Sequence, residues 1–145
     1  MPSSMRTTNI AQSHSANIEL LSCVVSQLVE FEEKSHPIRR GVQSKFHADH
    51  PPSVSILSYM KRVVIYSHVS SEVVFQAVWH LHKLMHISIS PLIINTLNVH
   101  RLLLVSIMTT AKFFDDTHYN NAHFAHVGGV PLSELNTLEI DFLGM

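Results

Sequence analysis

The feature that most constrains this sequence is the apolar stretch at residues 97–116, LNVHRLLLVSIMTTAKFFDD. Between Leu102 and Phe114 the only ionisable side chain is Lys112, and apolar side chains point in every direction around a helix. A helix that is apolar all round is either buried among other elements or spans a membrane. Because spanning needs about 20 apolar residues, this shorter stretch predicts a buried central helix near residues 98–114.

Lys112 is the exception within this predicted helix, since it lies one turn from the end of an otherwise apolar segment. A lysine in such a place can bury its aliphatic stem while its ammonium reaches water. The alternative is a contact with a partner. Asn98 is a suitable N-cap for the same helix, because its side chain can accept a hydrogen bond from the first turn.

The composition fits one domain of ordinary size. The chain has 145 residues, 46% of them hydrophobic and 14% charged, with a formal net charge of −1. A charge this close to neutral favours neither a nucleic-acid nor an anionic membrane surface as partner. Cys23 is the only cysteine, which excludes a disulfide framework, and no apolar run near the start resembles a signal peptide. We therefore expect an intracellular protein, cytoplasmic or nuclear.

Other helices are predicted on both sides of the central one. Residues 1–16 are rich in Ser and Thr and predict a mobile tail, and apolar spacing of three and four predicts a helix near 17–34 that ends at Pro37. Residues 35–52 are expected to form a loop and 87–97 an irregular connection. Four more helix starts are indicated by residues that commonly begin helices: Ser53, Ser70 or Ser71, Asn120 or Asn121, and Pro131.

The last predicted helix carries an acid within its apolar stripe. That stripe consists of Leu132, Leu135, Leu138, Phe142 and Leu143. Glu139 lies among them at helical spacing, and the chain is expected to end inside this helix, at Met145. Lys112 and Glu139 are thus opposite charges on the apolar faces of two different helices, which predicts an interface with a charge pair at its centre.

Histidines are the other chemistry-bearing residues. Of the 12 histidines, one group comprises His80, His82 and His86, and a looser group comprises His118, His123 and His126. Two imidazoles four residues apart on a helix can face one metal ion. No cysteine lies near either group and no carboxylate lies within the first, so surface or half-buried histidines are the preferred interpretation. No phosphate loop or nucleophile motif is found, and we expect neither an enzyme nor a cofactor.

Several motifs in succession, LNVHRLLL, AKFxDD, VGG and ELNxLExxFL, closely resemble the P-type (phosphate-signalling, or P/U) cyclins, and SVSILSYMKRVVIYS resembles the start of their cyclin box. The resemblance implies an all-α fold: a single box of five helices packed around a central third helix. The box would cover residues 45–145, and residues 1–44 would form an extension that contains the helix near 17–34. The fifth helix of the family continues further, so this chain is expected to be truncated there.

The resemblance also implies a function. Cyclins are non-catalytic regulatory subunits that bind and activate a cyclin-dependent protein kinase, in cell-cycle control or phosphate signalling. By resemblance, Lys112 and Glu139 would contact the kinase segment beside its αC helix. Three residues would supply apolar contact around them: Phe113, Phe142 and Leu143.

Three departures from the wider family are visible. His82 and Lys83 stand where many cyclins have an Asp-Arg pair, the arginine that usually partners this aspartate is absent near Ser53, and the Met-Arg docking patch of cell-cycle cyclins is missing. Two other classes stay open: a cyclin-box adaptor in transcription, which the near-neutral charge disfavours, and a histidine-based metal protein. No nucleic-acid or membrane partner is expected, and the oligomeric state is left open.

Overall fold

The computed structural model describes residues 3–36, 44–87 and 91–145, with side chains from residue 11 onward. These residues contain no strand, as the predicted all-α fold requires, and no helix among them is both long and apolar enough to cross a membrane. Five helices follow an N-terminal helix. In order they are α1 (Ser3–Ser35), α2 (Ile56–Ser67), α3 (Ser71–His86), α4 (Val99–Phe114), α5 (Asn121–Gly128) and α6 (Leu132–Leu143).

Helix α4 is the centre of the molecule. Every residue from Leu102 to Met108 is buried, and the helix contacts α2, α3, α5 and α6. The one polar residue within that run, Ser106, donates a hydrogen bond of 2.9 Å to the Ala77 carbonyl of α3. Its burial is tolerated because the hydroxyl is satisfied. The prediction of a buried central helix is confirmed.

Helix α1 begins far earlier than predicted. Residues 3–16 are helical, so the expected mobile tail before residue 17 is wrong. The packed part of α1 lies against α2 and α3 through four buried apolar residues: Ile18, Leu21, Val25 and Val29. Starting a helix is costly whereas extending it adds one hydrogen bond per residue fixed, so the anchored part can propagate into a Ser- and Thr-rich segment. The predicted stop at Pro37 lies outside the described residues.

Capping side chains set the starts of three helices. Ser55, and not the predicted Ser53, caps α2, because its Oγ accepts a hydrogen bond from the Ser58 amide at 3.1 Å. Ser70 and Asn120 cap α3 and α5 as predicted. Pro131 occupies the N-cap position of α6, where no side chain caps the helix. Each capped start satisfies a backbone amide that has no partner within its own helix.

Asn98 occupies the predicted N-cap position of α4, but its side chain does not cap the helix. The side chain instead accepts a hydrogen bond from the Asn95 amide at 2.9 Å and donates one to the Ile93 carbonyl at 2.8 Å. These bonds hold the irregular connection that leads into α4. Residues 88–90 of the predicted connection lie outside the described residues.

Helix α5 approaches α4 closely at Gly128. A Cβ added there would overlap the Leu104 side chain, so a larger residue requires Leu104 to move. The Tyr59 hydroxyl of α2 donates a hydrogen bond of 2.9 Å to the Gly128 carbonyl, and burial raises the pKa of Tyr59 to about 12. Gly129 then ends α5 with a φ of 70°, a left-handed conformation that glycine commonly adopts at the end of a helix. This junction fixes the C-terminal end of α5 next to Leu104, in the N-terminal half of α4.

Candidate protein-interaction site

Lys112 and Glu139 meet in space as a hydrogen-bonded ion pair. The Lys112 Nζ atom of α4 lies 2.6 Å from Oε1 of Glu139 on α6, and it also donates to Oδ1 of Asn121. The Asn121 Nδ2 group of α5 donates in turn to Glu139 Oε2 at 2.7 Å. The three side chains therefore form a closed network that connects α4, α5 and α6.

Asn121 is the member of this network that sequence reasoning did not single out as a site residue. Its amide is fully used: Oδ1 accepts from Lys112, and the two Nδ2 hydrogens go to Glu139 and to Asn136 Oδ1, the latter at 2.8 Å. The side chain is positioned because Asn120 caps α5 and makes Asn121 its first residue. The only hint in the sequence was the presence of two consecutive asparagines at a helix start. Because a helix needs only one of them as its N-cap, the other was free for a different role.

The pair is partly buried but remains accessible. The side chain of Lys112 is 28% exposed and that of Glu139 is 18% exposed. Burial by itself would raise the pKa of Glu139, but hydrogen bonds from Lys112 and Asn121, together with the lysine charge, hold it below its ordinary value of 4.5. The ammonium keeps a third hydrogen, and each carboxylate oxygen keeps a lone pair. Both groups can therefore bind a partner without first separating.

Next to the pair, apolar side chains face solvent. Helix α4 leaves the core at its last turn, where the buried Ala111 is followed by Lys112 and then by Phe113, which is 80% exposed. Leu143, one turn beyond Glu139 on α6, is 69% exposed. These two residues line an open groove of about 450 Å³ between the ends of α3, α4 and α6, which we call the α4–α6 groove.

Phe142 has a different position from the one expected of a contact residue. It is only 4% exposed and packs edge-on against Phe46, with ring centroids 6.5 Å apart, and near His80 at 5.5 Å. Its side chain also borders the floor of the α4–α6 groove. Phe142 therefore supports the surface from below, whereas Phe113 and Leu143 form it.

The histidines do not converge on an ion site. His82 and His86 lie side by side with ring centroids 4.5 Å apart, but Trp79 stacks on His82 at 5.5 Å, and no third ligand from the described part of the chain joins them. His123 Nε2 donates to the Tyr66 carbonyl at 2.9 Å. Among the side chains of residues 11–36, 44–87 and 91–145, no three His, Cys, Asp or Glu residues are grouped so that they could hold a metal ion.

Comparison with known families settles what kind of protein this is. The family model described as Cyclin matches residues 5–145, a span that includes α4, α5, α6 and the network between them. The chain belongs to the cyclin family. The matched span begins within α1, so the N-terminal helix is part of the family resemblance.

Curated relatives place this cyclin among the P and U types. It is 40% identical to Cyclin-U4-1 of Arabidopsis thaliana over 85% of this chain and 63% of that protein. It is 33% identical to Cyclin-P4-1 of Oryza sativa subsp. japonica over 96% of this chain and 68% of that protein. It is 37% identical to the PHO85 cyclin-like protein psl1 of Schizosaccharomyces pombe over 67% of this chain and 40% of that protein. The chain thus spans between 40% and 68% of the length of these relatives.

Proposed function

We propose that this cyclin is a non-catalytic regulatory subunit that binds and activates a cyclin-dependent protein kinase. Membership of the cyclin family supports the proposal, as does similarity to a relative whose name calls it a PHO85 cyclin-like protein. The observation that carries it is the adjacency of the Lys112–Glu139 pair to the exposed Phe113 and Leu143. Specific protein interfaces combine an apolar centre, rich in aromatic residues, with polar and charged groups at the rim that form hydrogen bonds, and the exposed Phe113 and Leu143 beside a charge pair supply both kinds of group.

The charge pair would bind kinase backbone. The free hydrogen of the Lys112 ammonium can donate to a carbonyl, and Glu139 can accept from an amide, while the pair itself stays intact. Once the kinase covers these groups, removing one leaves its partners unpaired in a desolvated interface. Such a loss costs about 2 to 5 kcal/mol.

The aromatic and aliphatic side chains would supply contact area. Phe113 and Leu143 flank the α4–α6 groove, and Phe114, 58% exposed, lies at the same end of α4. Burying one such side chain contributes about 1.5 to 3 kcal/mol. A kinase helix with apolar residues on one face would fit a groove of this kind.

Activation follows from binding one kinase conformation better than the other. A protein kinase is active when a glutamate of its αC helix pairs with the lysine of strand β3 and its activation loop is ordered. A subunit that contacts the αC segment only in this active arrangement binds the active kinase more tightly than the inactive one. The difference between its two binding free energies is the amount by which it favours the active state. The cyclin needs no catalytic residue for this effect.

The cellular process is proposed to be cell-cycle control or phosphate signalling, carried out inside the cell, in the cytoplasm or nucleus. Kinase activity of the complex isolated from cells grown with and without phosphate separates the two roles. Activity that follows phosphate supply indicates phosphate signalling, and activity that follows the division cycle indicates cell-cycle control.

The direct test of the proposal is kinase activation in vitro. Each purified cyclin-dependent kinase of the source organism is assayed for substrate phosphorylation with and without the full chain. We expect at least one kinase to be activated by the wild type and much less by Phe113→Ser. Lys61→Ala is the matched control, because Lys61 pairs with Glu19 at 3.2 Å on α2 and α1, away from the groove. Failure of every kinase to respond would rule out the proposal.

A further inference from the structure

Asn136 is the outermost member of the network around Lys112 and Glu139. It lies on α6 three residues before Glu139, so the two side chains are neighbours on one face of the helix. Asn136 is exposed, and its Oδ1 atom accepts a hydrogen bond of 2.8 Å from Nδ2 of Asn121. The side chain is therefore at the surface and yet held by the network beneath it.

The charges of the network decide which way each amide group points. The Lys112 ammonium has hydrogens and no acceptor, so only the oxygen of the Asn121 amide can face it. Glu139, whose pKa lies below its ordinary value of 4.5, is ionised near neutral pH and has acceptors only. Asn121 must therefore turn its Nδ2 group towards Glu139. On that side it offers Asn136 a hydrogen and not an oxygen.

Asn136 then has to turn its oxygen inwards and its Nδ2 group outwards. Oδ1 receives the hydrogen from Asn121, and the two hydrogens on Nδ2 meet no acceptor among the described residues. An isolated surface asparagine can turn its amide either way. Here the reverse orientation would place two donors face to face. The charge pair thus fixes, through Asn121, a hydrogen-bond donor at the surface of α6.

This donor lies on a face of α6 that continues the proposed kinase-binding surface. Residues 136, 140 and 143 are four and three apart, so they form one row along the helix. Ile140 is 72% exposed and Leu143 is 69% exposed. A partner that covers Glu139 and Leu143 lies against Asn136 as well. Since a donor that is buried without an acceptor costs free energy, that partner has to supply an acceptor there.

We propose that Asn136 is a further binding residue of this site and that its Nδ2 group donates a hydrogen bond to a backbone carbonyl of the kinase. This inference rests on the proposed function. Lys112, Glu139 and Asn136 then present a donor, an acceptor and a donor. A kinase segment without a carbonyl opposite Asn136 leaves the outer donor unpaired and binds less well, so Asn136 also discriminates between kinases.

The test separates the two ends of the Asn136 amide. Asn136→Asp keeps an oxygen towards Asn121 but replaces the outward donor by a carboxylate oxygen, which repels a carbonyl. Asn136→Leu has a similar size and forms neither hydrogen bond. Thr137→Asp is the matched control for the added charge, because Thr137 is exposed on α6 and its hydroxyl donates to the Ser133 carbonyl of the same helix at 3.0 Å. Calorimetry measures the affinity of each full chain for the kinase that the wild type activates.

We expect Asn136→Asp and Asn136→Leu each to bind about tenfold more weakly than wild type, or weaker still. Thr137→Asp should bind as wild type does. Wild-type affinity in Asn136→Asp would overturn the inference, even if Asn136→Leu binds weakly, because Asn136 would then act only by holding Asn121 in place.

A second measurement uses the wild type alone. Nuclear magnetic resonance follows the exchange of the Asn136 Nδ2 hydrogens with solvent, in the free chain and in the kinase complex. We expect exchange to be much slower in the complex. Equal rates would overturn the inference, and this result also decides the case in which Thr137→Asp weakens binding as much as Asn136→Asp.

Phe113→Ser tests the proposed function in the same calorimetric experiment. If Phe113→Ser weakens binding and Asn136→Asp does not, the inference is wrong and the proposed function stands. If no kinase binds the wild type, the proposed function fails and the inference with it.

Discussion

The ammonium of Lys112 lies 2.6 Å from the carboxylate of Glu139, although the two residues are 27 positions apart in the chain. The contact joins the last turn of α4 to α6, and Asn121 of α5 completes it. The pair therefore connects these helices in the free protein. Removal of either charge is thus expected to lower the stability of the free protein.

We expect Lys112→Ala to lower the free energy of unfolding by about 1 to 3 kcal/mol, because it leaves acceptors on Glu139 and Asn121 without their partner. Urea denaturation measures this. In the double variant Lys112→Ala, Glu139→Ala, the loss should be smaller than the sum of the single losses by about 0.5 kcal/mol or more. Strictly additive losses would mean that the pair contributes no coupling energy in solution.

Glycine is required at position 128 by the close approach of α5 to α4. We expect Gly128→Ala to destabilise the fold by about 1 to 3 kcal/mol, since its Cβ forces Leu104 out of place. Gly144→Ala is the control. A Cβ there would lie 3.5 Å from the Asp141 carbonyl, an ordinary contact, so we expect a change within about 0.5 kcal/mol. Equal stability of the two variants in urea denaturation would contradict the packing described at Gly128.

His100 should make stability depend on pH. Burial lowers the pKa of its imidazole below the ordinary value of 6.5, although its hydrogen bond to the Val54 carbonyl acts in the opposite direction. The folded state then binds this proton less well than the unfolded chain. The stability that uncharged His100 contributes to the fold is fully present above about pH 6.5 and is lost as the pH falls through the lowered pKa. His80, whose pKa is also lowered by burial, acts in the same direction.

Urea denaturation between about pH 7.5 and pH 5 tests this dependence. We expect the free energy of unfolding to decrease with falling pH in the wild type, and to decrease less steeply in His100→Gln. The two proteins are compared by the slope of their free energy of unfolding against pH, because the substitution also changes stability at neutral pH. Parallel slopes would show that His100 does not contribute.

The central position of α4 should be visible in hydrogen exchange. Its amides between Leu102 and Met108 lie in a fully buried segment contacted by four other helices. We expect them to be among the slowest to exchange, at or near the free energy of global unfolding. Amides of residues 11–17 in α1, where almost every side chain is exposed, should exchange much faster. Stronger protection in α1 than in α4 would contradict the architecture.

The sequence was sufficient to predict the central helix and the two misplaced charges. Lys112 and Glu139 stand out because each is a charged residue on an otherwise apolar helical face. This pattern can be seen in a short stretch of sequence, without knowledge of the fold. The sequence predicted a charge pair at an interface, but not that the two side chains bind each other within the free protein, because that contact depends on how α4, α5 and α6 pack. Asn121 was missed for the same reason, since nothing in its local sequence shows that its amide meets both charges.

Position within a helix was predicted less well than the helix itself. Phe142 and Leu143 were assigned the same contact role, yet one is 4% and the other 69% exposed. Adjacent residues on a helix point about 100° apart, so the orientation of α6 against Phe46 decides which of them faces the core. The N-terminal half of α1 was not predicted, because its Ser- and Thr-rich sequence lacks apolar residues at helical spacing. A helix that is anchored in its C-terminal half can extend into such a segment without them.

The most direct test of the central claim is the affinity of the purified kinase for wild type and for Lys112→Ala, measured by calorimetry with Lys61→Ala as control. We expect Lys112→Ala to lose about 2 to 5 kcal/mol of binding free energy and the control to bind with wild-type affinity. Leu135→Ala, at a fully buried position of α6, should instead mainly destabilise the fold, by about 2 to 5 kcal/mol. Wild-type affinity in folded Lys112→Ala would contradict the claim that this pair binds the kinase.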